Sequence, residues 1–172
     1  AIITKNDYQM VFLDTPGIMI KPKNKLGEYM IKVATEALEE VEVVLFIADA
    51  TGGGPGKGDL EILKQLKKIS SPVFLVINKI DLISKEQILS LISDYSNQLD
   101  FASVISISAL NGDGIDILVE GIKDKLPEGP AFFPEDMITD QPEKVIIAEI
   151  IREKLLLLLK EEVPHGIGVE VI

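Results

Sequence analysis

Two hydrophobic rhythms alternate along the chain. Val43 to Ala48 and Val73 to Ile77 are short apolar runs rich in β-branched residues, the pattern of strands buried on both faces. Ser103 to Ser108 reads as a third strand. Between and around these runs, apolar residues recur at helical spacing. Leu26, Met30, Val33, Ala34, Ala37 and Leu38 mark one helix from Leu26 to about Val41. Leu60 to Ile69 marks a second. A third opens at Ser84, an N-cap with Gln87 three residues on, and runs to about Leu99. A fourth covers Ile115 to Leu126. Ahead of all of them, Ala1 to Thr4 and Tyr8 to Leu13 flank the polar turn Lys5-Asn6-Asp7 and predict an antiparallel hairpin. The fold class is therefore α/β: a mostly parallel sheet with helices on both faces and an antiparallel edge strand.

The rhythm breaks at Pro127. Pro127, Gly129, Pro130, Pro134 and Pro142 punctuate an irregular stretch, read as an interdomain linker over 128–142. A strong helix follows from Glu143 to about Lys160, and Gly166 to Ile172 alternates like a strand. One helix and one strand cannot make a domain. The expectation is a first domain over 1–127 and the beginning of a second over 143–172, with sequence missing before residue 1 and after residue 172.

Composition narrows the chemistry. Of 172 residues, 47% are hydrophobic, enough for a substantial core. Cysteine is absent, which excludes disulfides, thiolate zinc sites and thiol nucleophiles. The net charge of −11 opposes phosphate-backbone binding by the chain as a whole, and DNA is not an expected partner. Arg152 is the single arginine, and the lysines are scattered among acids. Neither a signal peptide nor a membrane-spanning run is evident. Leu155 to Leu159 is too short and lies between Lys154 and Lys160.

The candidate chemistry sits at strand ends, where open α/β sheets bind ligands. Asn78-Lys79-Ile80-Asp81 leaves the Val73–Ile77 strand. The Asp81 carboxylate can accept two parallel N–H bonds, which a guanine edge offers and an adenine edge does not. The Lys79 stem can lie against the ring. On these residues alone, a helix-capping Asp in an ordinary turn explains them equally well. Asp14-Thr15-Pro16-Gly17 ends the Tyr8–Leu13 strand. An Asp there can hold Mg²⁺ through water, and a Gly admits a terminal phosphate. A plain Pro-Gly turn is the alternative. Ser108-Ala109-Leu110 ends the last strand, where a small residue lets a backbone N–H reach a base oxygen.

Taken together and in this order, Asp-Thr-Pro-Gly, Asn-Lys-x-Asp and Ser-Ala-Leu resemble the third, fourth and fifth boxes of translation-factor-class GTPases, which have a P-loop NTPase-type sheet. The junction is more specific. Phe133 to Asp140, then Glu149 to Lys154, Val163-Pro164 and Val169-Glu170-Val171, are similar to the passage from GTPase domain to type II KH domain in the Era-like ribosome-assembly GTPases. The resemblance covers essentially the whole chain. It implies that Asn78, Lys79, Ile80 and Asp81 read guanine and that Ser108, Ala109 and Leu110 complete the base pocket. It implies Asp14 as the water-mediated Mg²⁺ residue, and Thr15, Pro16, Gly17 and Ile18 as the segment at the γ-phosphate. For the complete protein it implies GTP/GDP and Mg²⁺ binding, slow GTP hydrolysis and KH-mediated binding of small-subunit ribosomal RNA. A role in assembling the small ribosomal subunit follows, with a cytoplasmic location and loose contact with the inner membrane face. Ile18 replaces the Gln that orients water in many small GTPases, so no side chain is an obvious catalytic residue.

Some features depart from the pattern. The phosphate loop G-x-x-x-x-G-K-[ST] is absent from this sequence. Gly52 to Gly58 fails its spacing: Thr51 stands where the leading Gly belongs and Gly58 where the hydroxyl belongs. It reads as an exposed loop within Asp49 to Asp59. No Gly-x-x-Gly RNA clamp follows residue 160. His165 lies in a Pro-His-Gly turn without metal-binding neighbours, and Glu36, Glu39, Glu40 and Glu42 read as a solvated helix face. Two rival functions stay open: another GTPase of the same broad class, or a non-hydrolysing interaction module lacking the phosphate loop.

Overall fold

The computed structural model describes residues 1–14, 41–139, 141–158 and 168–170. The predicted helix over Leu26–Val41, the turn around His165, and Glu36, Glu39 and Glu40 lie essentially outside these residues. The described chain divides into two compact units. One holds Asp14–Gly129; the other holds Ala1–Leu13 with Pro130–Ile172.

In the first unit, β3 (Val44–Asp49), β4 (Val73–Asn78) and β5 (Ser103–Ser106) form a parallel sheet in the order β3-β4-β5. Strand β4 is central, and Val73 through Ile77 are all buried. That burial is why the strand reads as an unbroken apolar run: neither face meets water. Val44, Phe46, Ala48, Val73, Leu75 and Ile77 point to one face, where Leu63 and Leu66 of α1 (Lys57–Leu66) and Leu91 and Tyr95 of α2 (Lys85–Ser96) cover them. The opposite face carries Phe74 and Ile105. Helix α3 (Ile115–Lys123) lies there, with Gly121 so close that an added Cβ would sit 3.4 Å from Phe74 and 3.5 Å from Ile105. Helices therefore cover both faces, as the alternation predicts.

The caps explain where the helices begin. Ser84 N–H donates to Gln87 Oε1 at 2.9 Å, and Gln87 N–H donates to Ser84 Oγ at 3.4 Å, the predicted reciprocal cap of α2. Helix α1 starts at Lys57 rather than Leu60, so the glycine-rich loop is shorter than expected. Asp59 accounts for the difference: its Oδ2 accepts from Gly56 N–H at 2.9 Å and closes the first turn. The same oxygen accepts from the Tyr95 hydroxyl at 3.0 Å, joining the start of α1 to the end of α2. Burial first, then the Asp59 charge and hydrogen bond, push the Tyr95 phenol upward. The folded state keeps this proton longer than the unfolded chain does, so stability falls as pH rises past the ordinary tyrosine value of 10.0.

In the second unit, β1 (Ile2–Thr4) and β2 (Gln9–Val11) form the predicted hairpin, closed by Lys5 N–H to Tyr8 O at 2.9 Å. It makes its own two-stranded sheet and is not an antiparallel edge of the parallel one among the described residues. Further hydrogen bonds tie it to the proline-rich stretch. Ile2 N–H donates to Ile138 O at 2.8 Å. Gln9 Oε1 accepts from Phe132 N–H at 2.8 Å and Phe133 N–H at 3.0 Å, while its Nε2 donates to Phe133 O at 2.9 Å. Helix α4 (Glu143–Leu158) follows. Residues 168–170 form no strand, so the expected Gly166–Ile172 strand is not seen in its described part. No described helix is long and apolar enough to cross a membrane.

Replacing Tyr95 by Phe removes one part-buried hydrogen bond while keeping the ring packed 5.9 Å from Phe46. The expected loss is about 1 kcal/mol of unfolding free energy. Urea unfolding measures it, and the variant should also lose the stability decline above pH ~10 assigned to this phenol.

Candidate functional site

Parallel register brings three polar strand ends together. Asp49 closes β3 directly opposite Asn78, which closes β4, and Ile77 lies opposite Ser106 of β5. Backbone bonds extend the alignment past the strands: Ile107 N–H donates to Ile77 O at 2.8 Å, and Ile80 N–H donates to Ile107 O at 3.2 Å. Asn78-Lys79-Ile80-Asp81 and Ser108-Ala109-Leu110 are thus adjacent segments of one sheet end.

Side chains lock the two segments. Asn78 Oδ1 accepts from Lys79 N–H at 2.8 Å and from Ala109 N–H at 3.0 Å. Ser108 is fully buried, and its hydroxyl donates to Asp81 Oδ1. Its Oγ also accepts from Asn111 N–H at 3.3 Å. Ser108 N–H donates to Asp113 O at 3.0 Å and its carbonyl accepts from Gly112 N–H at 2.8 Å, closing the following turn. Gly114 ends that turn at φ 76°, and a Cβ there would stand 2.5 Å from Ser106 O. Only glycine meets both demands.

Lys79 is the one non-glycine residue at positive φ among the described residues, at φ 68° and ψ 34°. The left-handed turn costs about 1–2 kcal/mol for an L-residue. The Lys79 ammonium pairs with Asp49 Oδ2. Asp49 Oδ1 accepts from Thr51 N–H at 2.8 Å and Thr51 Oγ1 at 2.7 Å. The Lys79 hydrogen bond first, then the two Thr51 bonds, pull the Asp49 carboxyl from 3.8 to about 2.

The arrangement fits a guanine edge. Asp81 has one oxygen held by Ser108, and both its oxygens retain lone pairs for two parallel N–H groups. Asn78, its oxygen engaged twice, presents its amide NH₂ as a donor. The Ala109 N–H, expected to reach a base oxygen, donates to Asn78 Oδ1 in this structure; a base oxygen would share it in a three-centre bond. Leu110 is 87% exposed. Ile80 is half-buried and ties the loop through its N–H. Asp14 is exposed, and no hydrogen bond joins it to the other predicted site residues among the described residues. Thr15, Pro16, Gly17 and Ile18 lie outside the described residues. No described cluster of three or more acidic or histidine ligands could enclose a metal. A single carboxylate at Asp14 suits a Mg²⁺ that keeps most of its water.

Asp49 escapes the sequence reading. It ends an apolar strand, the same signal that marks Asn78, but the glycines after it make it read as loop.

This is the fold of a P-loop GTPase. The chain belongs to the family of the elongation factor Tu GTP binding domain, whose pattern matches residues 1–128. Over its whole length it is similar to proteins named GTPase Era. That of Ruminiclostridium cellulolyticum is 56% identical over 171 residues, covering 99% of this chain and 57% of the relative. A structure of Aquifex aeolicus Era bound to GDP.AlF4- superposes with a TM-score of 0.80 at 43% identity, covering 95% of this chain and 56% of that one. A structure of Era in complex with MgGDPNP and nucleotides 1506–1542 of 16S ribosomal RNA superposes with a TM-score of 0.82 at 44% identity, covering 95% and 55%. The chain thus spans a little over half the length of these relatives.

Gly114→Ala should lower stability by about 2 kcal/mol or more, since the left-handed conformation and the clash with Ser106 O both oppose it. Thermal unfolding checks this. A carboxyl NMR titration of Asp49 should give a midpoint near 2, moving toward 3.8 in Lys79→Met. The pair's stabilisation is complete above the unfolded carboxyl's pKa and is lost as pH falls through about 2.

Proposed function

We propose that this chain carries the guanine-reading end of an Era-like GTPase, and that the whole protein binds and slowly hydrolyses GTP with Mg²⁺. The observation that carries the reading is the cross-linked pair of strand ends, Asn78 to Ala109 and Ser108 to Asp81, which aims one carboxylate and one amide out of the sheet end. Such pre-set polar groups discriminate because the wrong base leaves them unpaired.

Asp14 would hold Mg²⁺ through water, and Gly17 would sense the γ-phosphate. Thr15, Pro16 and Ile18 complete that segment. Ile18 offers no side chain to orient an attacking water, so hydrolysis is slow and depends on positioning. Residues 143–172 would begin a KH domain that binds small-subunit ribosomal RNA, with a part in assembling the small subunit. The Era–RNA complex among the related structures supports this reading. A cytoplasmic protein in loose contact with the membrane face is the matching location.

Calorimetric titration of the full-length protein with GTP and Mg²⁺ tests the assignment. Micromolar or tighter binding is expected. Asp81→Asn should weaken GTP by about 1–3 kcal/mol, roughly five- to 150-fold, because a donor then faces the guanine donors. It should strengthen xanthosine triphosphate, whose extra carbonyl accepts that donor. Unchanged base preference would refute Asp81 as the reader. The 172-residue chain alone should bind GTP weakly, because its sequence contains no phosphate loop. A full-length protein that ignores GTP would instead favour a non-hydrolysing interaction module.

A further inference from the structure

We infer that Asp49 is a positioning residue for guanine recognition: it anchors the Lys79 ammonium so that the lysine stem is held as a rail beside the base. This rests on the reading of Asn78 to Asp81 as the base site and adds a residue to it.

The geometry supplies the argument. The left-handed backbone at Lys79 turns this residue out of the line of β4. Its ammonium then reaches the end of the neighbouring strand, where Asp49 stands in register with Asn78. Asp49 is itself immobilised. Two donors of Thr51, the N–H and the hydroxyl, hold one carboxylate oxygen and leave the other for the ammonium. A lysine stem has four rotatable carbons, and ordering such a side chain on binding costs affinity. A stem already held by Asp49 avoids that loss. The ion pair is exposed, with side chains 52% and 45% accessible, so its direct contribution to folding is small. Its effect is therefore expected in nucleotide affinity rather than in stability.

The test measures dissociation of a fluorescent GDP from the full-length protein, together with melting of the nucleotide-free form. Asp49→Asn keeps an acceptor for Thr51 and removes the charge that holds Lys79. It should weaken GDP about five- to tenfold and leave nucleotide-free melting within a few degrees. Asp49→Glu should recover part of the affinity. Glu61→Gln removes an equal charge from α1, where Glu61 faces Lys64 at 3.7 Å, and should leave affinity unchanged. The decisive comparison is a double-mutant cycle: in a Lys79→Met background, Asp49→Asn should have no further effect. Additive losses, equal losses in Glu61→Gln, or Asp49→Asn affinity within twofold of wild type would each overturn the inference. Wild-type protein that binds no GDP would overturn the base-site reading itself, and the two failures are therefore distinct.

Discussion

The register of three parallel strands is the constraint on which the site depends. Val73 to Ile77 are buried on both faces, and each residue is paired on both sides of β4 or next to such a pair. A slip of one residue would turn every side chain of that run to the wrong face. The burial that makes β4 central therefore also fixes where Asn78 emerges, opposite Asp49 and beside the segment after β5. Polar groups placed this way need no flexible loop to bring them together.

The polar end is built so that each loop supports its neighbour. Asn78 spans to Ala109, Ser108 spans to Asp81, and Lys79 spans to Asp49. Two unusual backbone positions make these bonds possible. Lys79 turns left-handed, and Gly114 passes too close to Ser106 for any side chain. Local strain at Lys79 is tolerated because the flanking strand and the Ile80–Ile107 bond over-determine it. The elongation factor Tu GTP binding domain family matches residues 1–128, a span that includes this sheet end.

The hairpin unit follows a different logic. Its strands are only three residues each, too short to stand alone. Gln9 compensates by capping the backbone of Phe132 and Phe133 with both ends of its amide. A stretch that its prolines mark as irregular is thus given defined partners.

Much of this was legible from residue order alone. Continuous apolar runs identify β3 and β4, helical spacing identifies α2 and α3, and Ser84 with Gln87 marks the start of α2, because burial and capping act on neighbouring residues. The candidate base readers were legible for the same reason, since a polar cluster directly follows a buried strand. What remained hidden depends on partners distant in sequence. Gly58 reads as loop until Asp59 is seen to cap Gly56 and bond Tyr95. Nothing near Gln9 announces Phe133, and nothing near Lys79 announces a left-handed turn toward Asp49. The amino-acid sequence by itself determined the alternation of elements and the polar strand ends, because both arise from local periodicity. Only the tertiary structure decided that Asp49 belongs with Lys79, because strand pairing alone brings residues 49 and 79 into contact.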